Sequence, residues 1–275
     1  MQMDVNLVST ATNIRLPTEP FQLDVRAYLQ RLKYHGPLTP SVETLWALYE
    51  THCQTVPYEN VDQCLGRPLE LSEAALFNKI VRQWRGGISC ELNGLFAILL
   101  RALGFSATLV AAQRVDDTGQ PRNEFFHSLV LVQAGQRWLL DTGSWDTPGV
   151  FLPLDDPSAN PWSPTLRATQ TGPLWTVWKN IQGDHWRERY LLRLKERPLS
   201  SFVTQTPVES PFHEVGFLDR LICSLETPAG RILLRHGRLA VTANGELKEQ
   251  RTVTPANWRA LLRTYFWIES PVQGF

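Results

Sequence analysis

The residues best suited to chemistry are a histidine, an aspartate and a short glycine-led turn. His127 stands near the start of an apolar stretch, Phe126 to Val132, and Asp141 closes the next, Arg137 to Asp141. Both stretches read as strands. If Gln133-Ala134-Gly135 is a three-residue hairpin loop with Gly135 left-handed, Val132 pairs with Gln136 and His127 falls directly across from Asp141. A two-residue loop would put the pair on opposite faces. An aspartate beside an imidazole fixes its tautomer and stabilises the imidazolium, which is how a nearby nucleophile is activated. The nucleophile would come from Arg85-Gly86-Gly87-Ile88-Ser89-Cys90-Glu91-Leu92-Asn93. Here two glycines make a tight turn, Ser89 reads as a helix cap, and Glu91 places a negative charge in the first turn, where the helix dipole favours it. A side chain at 89 or 90 then lies at a helix N-terminus, where free N–H groups favour an anion and lower a thiol pKa.

The elements that must position these groups change character about a third of the way along. Phe21, Val25, Tyr28, Leu29 and Leu32 recur at helical spacing, ahead of Gly36-Pro37, and a second helix is predicted from Ser41 to His52. Ser72 reads as the cap of a third, with Leu71 and Leu76 as a hydrophobic staple and Leu76, Ile80 and Trp84 as its stripe. The Ser89 helix buries Leu92, Leu95, Phe96, Leu99 and Leu103 and ends at Gly104. Strands follow at Ala107–Gln113, Arg189–Leu194, Arg231–Leu234 and Arg238–Val241, punctuated by turn signals such as Ala243-Asn244-Gly245. The proline-rich stretch Pro148–Pro173 reads as a long ordered loop.

Composition narrows the function classes. With 275 residues the chain has room for about two domains or one large multi-layer fold. Twenty-seven basic and 27 acidic residues cancel, which argues against nucleic acid as a partner. No stretch has the apolar length of a membrane span or a secretion signal, so the expected compartment is the cytoplasm. Cys53, Cys64, Cys90 and Cys223 show no paired spacing, so neither a disulfide framework nor a metal site is expected. The aromatic load, 10 Trp, 12 Phe and 6 Tyr, suits a core or an aromatic-lined cleft equally well.

Taken together, these residues resemble the arylamine N-acetyltransferase family. The match rests on Arg85-Gly86-Gly87-x-x-x-Glu91-x-Asn93 with Leu103-Gly104-Phe105, on His52 followed by Val56-Pro57-Tyr58-Glu59-Asn60, on His127, on Trp138-Leu139-Leu140-Asp141 with Gly143, and on Ser210-Pro211-Phe212. The resemblance implies an α+β fold in three parts: an N-terminal helical bundle (1–104), a central antiparallel β-barrel (105–205) and a C-terminal α/β lid (206–275). It also implies a papain-like Cys(Ser)-His-Asp arrangement. The activity implied is transfer of an acetyl group from acetyl-CoA to an arylamine or hydrazine by a ping-pong covalent route, without a metal. His127 takes the place of the family's base and Asp141 that of its orienting carboxylate. Tyr58 and Phe126 fall near acceptor-pocket positions, Gly143 and Ser144 belong to the loop beside the coenzyme, and Glu59 with Arg85 would form a structural ion pair. Relatives with the same signature act on carrier-bound chains, so an amide-forming or ring-closing acyltransferase served by an acyl carrier protein is an alternative, as is a relative that only binds ligand.

Two departures stand out. The family's nucleophilic cysteine falls at Ser89, and Cys90 lies one residue too far along, turned by about 100° on a helix. Ser89 is then a cap in a silent relative, an alkoxide nucleophile, a bystander to Cys90 acting through a shifted first turn, or the product of a deliberate Cys-to-Ser replacement. The family's Asp-Val-Gly-Phe-Gly is here Asp141-Thr142-Gly143-Ser144-Trp145, and the indole is expected to narrow the coenzyme entrance.

Overall fold

Helices come first, as the periodicity predicts, and polar caps set their starts. A computed structural model describes residues 21–116, 118–146, 149–156, 160, 162, 164–205 and 216–269. Helix α1 (Val25–Leu32) begins where the Asp24 carboxylate accepts the Ala27 N–H at 2.9 Å, so Phe21 lies outside it. Helix α2 (Val42–Thr55) is capped by Ser41 and runs one turn beyond the expected end. A two-residue strand β1 (Tyr58–Glu59) and a single turn α3 (Val61–Cys64) follow. Ser72 caps α4 (Glu73–Phe77), which widens into a π-turn over Asn78–Arg82. Trp84 does not continue its stripe: the backbone turns left-handed there (φ +55°) and the indole is 44% exposed. Helix α5 (Ser89–Ala102) is buried at every residue from Ser89 to Leu100, so it is a central helix covered all round rather than one with a single apolar face.

Seven strands then build one antiparallel sheet: β2 (Ser106–Arg114), β3 (His127–Ala134), β4 (Gln136–Asp141), β5 (Val150–Pro153), β6 (Leu166–Thr171), β7 (Leu174–Gln182) and β8 (His185–Glu196). Their order, β5-β4-β3-β2-β8-β7-β6, brings the two outer strands together in a nearly closed barrel. Val110, Leu129, Leu139, Val177 and Tyr190 belong to its core, while α5 packs against β2 and β3. The Pro148–Pro173 stretch is therefore not one loop: it contributes both β5 and β6. Pro153 is tolerated because it ends a strand at the end of the sheet order.

After a 3-10 turn at Leu199–Gln205, the chain forms α6 (Phe217–Arg220), β9 (Cys223–Thr227), β10 (Gly230–Arg235), β11 (Arg238–Ala243), β12 (Glu246–Thr252) and α7 (Trp258–Phe266). The second sheet has the order β1-β9-β10-β11-β12, so Tyr58–Glu59, from the helical part of the chain, form its edge. Its apolar core includes Leu225, Leu234, Leu239, Trp258, Leu262 and Phe266. Ser210-Pro211-Phe212 lies outside the described residues. The aromatic load divides between two places. Trp46, Tyr49, Trp138, Phe151 and Trp162 form one packed cluster, with ring centroids 5.0–5.7 Å apart, and a second set faces the cleft described next.

Candidate functional site

The glycine-led turn is held by close packing. A Cβ on Gly86 would sit 1.9 Å from the Pro57 carbonyl oxygen, and one on Gly87 would sit 2.8 Å from Glu91 Oε2. Neither glycine has a positive φ, so close approach and not backbone handedness requires them. The Glu59 N–H donates to Gly87 O at 3.0 Å, tying the turn to β1. Arg85 reaches the buried Glu59 carboxylate at 2.6 Å and Asp62 at 3.1 Å, which realises the expected structural ion pair. Lys79 bridges Asp62 and Glu91 at 2.9 and 2.7 Å.

At the helix start the structure corrects two expectations. Ile88, not Ser89, is the capping residue, and its N–H is taken by Glu91 Oε2 at 2.9 Å. Ser89 is the first helical residue, and its hydroxyl makes no hydrogen bond among the described residues. The Cys90 thiol is not lowered but pushed well up, by burial first and the neighbouring Glu91 charge second, which outweigh the N–H groups of the first turn. Cys90 is therefore a packed thiol.

The strand side is tightly bonded. The β3–β4 hairpin is tighter than expected: only Gly135 (φ +72°) separates the paired Ala134 and Gln136, and Val132 pairs with Trp138. The register thus differs by two residues, so Asp141 lies diagonally from His127 instead of directly opposite. An even shift preserves the face. His127 Nε2 donates to Asp141 Oδ2 at 2.7 Å, and the Tyr190 hydroxyl donates to the same oxygen at 2.8 Å. Asp141 Oδ1 accepts from Asn93 Nδ2 at 3.0 Å and from the Gly143 N–H at 2.9 Å. Burial alone would raise this carboxyl. The charge and hydrogen bond of His127, with Arg189 and Asn93, override it and hold Asp141 well below the usual carboxylate range. The Tyr190 ring stacks on His127 at 4.8 Å, nearly parallel, which fixes the plane of the imidazole.

Ser89, Cys90, His127, Gly143, Tyr58 and Phe126 all line one cleft of about 190 Å3, with Phe125, Phe202, Arg114 and Trp145 among its other walls. Ser144 does not join them. Its hydroxyl accepts from Arg189 at 2.7 Å and donates to Asp146 at 3.2 Å. Gly143 is needed where it stands, since a Cβ there would meet Ser89 Cα at 2.5 Å. Trp145 is held by guanidinium groups, Arg235 at 4.3 Å and Arg114 at 4.9 Å from its ring, with Arg114 also paired to Asp146. Sequence reasoning assigned no role to Asn93, although its motif was visible. It missed Tyr190, which looks like any strand aromatic.

Comparison with known proteins decides the family. A family model for N-acetyltransferases matches residues 41–273. The chain is 27% identical to rabbit (Oryctolagus cuniculus) arylamine N-acetyltransferase 1 over 273 residues, covering 90% of this chain and 94% of that one. It is 28% identical to the Escherichia coli K12 arylamine N-acetyltransferase, covering 82% of each. The chain belongs to the arylamine N-acetyltransferase family. The Salmonella typhimurium arylamine N-acetyltransferase superposes with a TM-score of 0.79 at 25% identity, covering 91% of this chain and 94% of that one. The Mycobacterium marinum arylamine N-acetyltransferase in complex with CoA gives 0.77 at 25% identity, covering 90% and 93%. Membership makes this chain a transferase with an acetyl-transfer fold.

Proposed function

We propose that the chain moves an acetyl group from acetyl-CoA to an arylamine or hydrazine through Ser89, with His127 as base and Asp141 as its orienting carboxylate. The observation that carries this reading is the buried His127–Asp141 pair facing the same cleft as an unengaged Ser89 hydroxyl. Asp141 holds Nε2, so Nδ1 is the nitrogen left to take the serine proton. As Ser89 Oγ attacks the thioester carbonyl, His127 accepts that proton. The donors proposed for the developing oxyanion are the N–H groups of Ser89 and Cys90, since those of Glu91 and Leu92 are bonded to the Ile88 carbonyl. The coenzyme leaves as a thiol by taking the proton from His127, and Ser89 holds an acetyl ester. The amine then attacks the ester, His127 takes a proton from its nitrogen and returns one to Ser89 Oγ, and the acetylated amine leaves.

Serine lacks the partial thiolate character of cysteine at neutral pH, so the first step depends wholly on His127. Gly143, Trp145 and Arg114 form the side of the cleft where the donor would enter. The names of the relatives and the CoA complex of one of them support acetyl-CoA and an arylamine over a carrier-bound chain. Four unbridged cysteines support a reducing compartment, the cytoplasm, and no helix among the described residues is long and apolar enough to cross a membrane. The test is acetyl-CoA-dependent acetylation of an aniline by the purified protein. Turnover that disappears in His127→Ala and rises in Ser89→Cys is expected, whereas a Ser89→Cys protein without turnover would remove the proposal.

A further inference from the structure

A second pocket of about 140 Å3 opens where four helical segments end, lined by Arg31, Lys33, Thr55, Trp84 and Trp267. It shares no lining residue with the cleft. Five non-glycine residues among those described have a left-handed backbone, and three of them are here: Lys33 (φ +56°), Trp84 (φ +55°) and Trp267 (φ +57°). Lys33 and Trp267 close α1 and α7, positions where glycine or asparagine is the usual choice. Large side chains in this conformation are strained, and such strain gathers at binding sites. Both indoles remain 44% exposed, so the strain is not recovered by burying them.

The charged side chains that line the pocket, Arg31 and Lys33, are both cationic, set against the partial negative charge of the helix C-termini that meet there. The Arg31 guanidinium lies 4.7 Å from the Trp84 ring centre, and Lys33 Nζ lies 5.6 Å from that of Trp267. Arg31 spends its donors on the carbonyls of Ile80, Thr55 and Arg85. Burial lowers it to about 10, against the opposing effect of Tyr28, which leaves it charged at neutral pH. Lys33 has no ion-pair partner among the described residues, and no acidic side chain lines the pocket. A cavity of roughly 150 Å3 suffices for one benzene-sized ring.

We propose that this pocket binds a single aromatic ring bearing a carboxylate, with the ring against Trp84 and Trp267 and the carboxylate on Lys33. The inference does not depend on the reading of the cleft.

Benzoate, benzylamine and benzyl alcohol titrated into the full chain with 15N-labelled indoles test it, with Trp84 and Trp267 assigned from Trp→Phe variants. Benzoate is expected to shift both indole signals saturably in the millimolar range, and benzylamine to leave them in place. Lys33→Gln should weaken benzoate about three- to fivefold, the value of one exposed charge contact. Trp267→Ala should abolish binding while the indole signals of the eight tryptophans outside the pocket keep their positions. Unmoved Trp84 and Trp267 signals at saturating benzoate, equal shifts with benzylamine, or undiminished affinity in Lys33→Gln would each overturn the proposal.

Discussion

On the strand side of the cleft both oxygens of Asp141 accept two hydrogen bonds each, from His127 and Tyr190 on one, and on the other from Gly143 and from Asn93, which reaches across from α5. On the helix side the Ser89 hydroxyl engages nothing among the described residues, and the neighbouring Ile88 N–H is satisfied by Glu91. The first region is over-determined: any change there leaves a buried polar group without its partner. At the second, the frame is built by Gly86, Gly87, Glu59 and Arg85, none of which touches the atom that would attack. The two regions meet at two points: Asn93 bonds Asp141 from α5, one turn beyond Ser89, and Gly143 bonds Asp141 while packing on Ser89 Cα, so contacts that hold the proposed base also seat residue 89. On the proposed mechanism, exchanging oxygen for sulfur at residue 89 changes the chemistry and is expected to leave the architecture in place.

That contrast can be broken most severely at Asp141. Asp141→Asn should lower acetylation by about 10^4-fold, because the amide no longer holds the productive imidazole tautomer, while the circular dichroism spectrum stays native. The next largest effect concerns the helix-side frame. Glu59→Ala leaves the buried Arg85 without its closest carboxylate and the Val61 N–H without its acceptor at 2.8 Å, and should cost about 3–5 kcal/mol in urea unfolding. A loss below about 1 kcal/mol would mean that Asp62 alone can hold Arg85 and the turn.

How much of this was legible in the residues follows the same division. Local rules worked where one side chain meets one backbone group: Ser72 caps as expected and Gly135 takes the left-handed position, while Asp24 and Ser41 cap the two helices before it. The Arg-Gly-Gly turn and the His127–Asp141 pair were visible through their spacing, and the hairpin register was off by two because turn length is set by strand twist as well as by glycine. Ser89 looked like a cap because serine usually is one, yet the cap is Ile88, whose N–H is taken by Glu91 three residues after it. Tyr190 and Asn93 could not be assigned from the chain alone, since their roles come from strands and helices distant in sequence meeting at Asp141. In the proline-rich stretch, β5 and β6 were hidden because proline density outweighed the short apolar run Val150–Leu154.

A smaller effect sharpens the comparison behind the helix. His52 is fully buried, shares a hydrogen bond of 3.0 Å with the Tyr28 hydroxyl and packs against Phe96 of α5. Burial first, and then the Arg31 charge, lower it to about 3 from 6.5. Between those values the unfolded chain takes up a proton that the folded one refuses. This contribution to stability is complete above pH 6.5 and is lost as pH falls towards 3, at about 1 kcal/mol per pH unit. Urea unfolding at pH 7, 6 and 5 should show that slope, and His52→Phe should flatten it. An unchanged slope in the variant would assign the acid sensitivity to other groups.

The most direct test of residue 89 as the nucleophile served by His127 is intact mass with peptide mapping after exposure to acetyl-CoA, for the native chain and Ser89→Cys side by side. Both proteins should gain one acetyl group on residue 89, the cysteine variant roughly 100-fold faster or more, with Cys90 unmodified. Acetyl on Cys90, or no acetyl on either protein, would contradict the account.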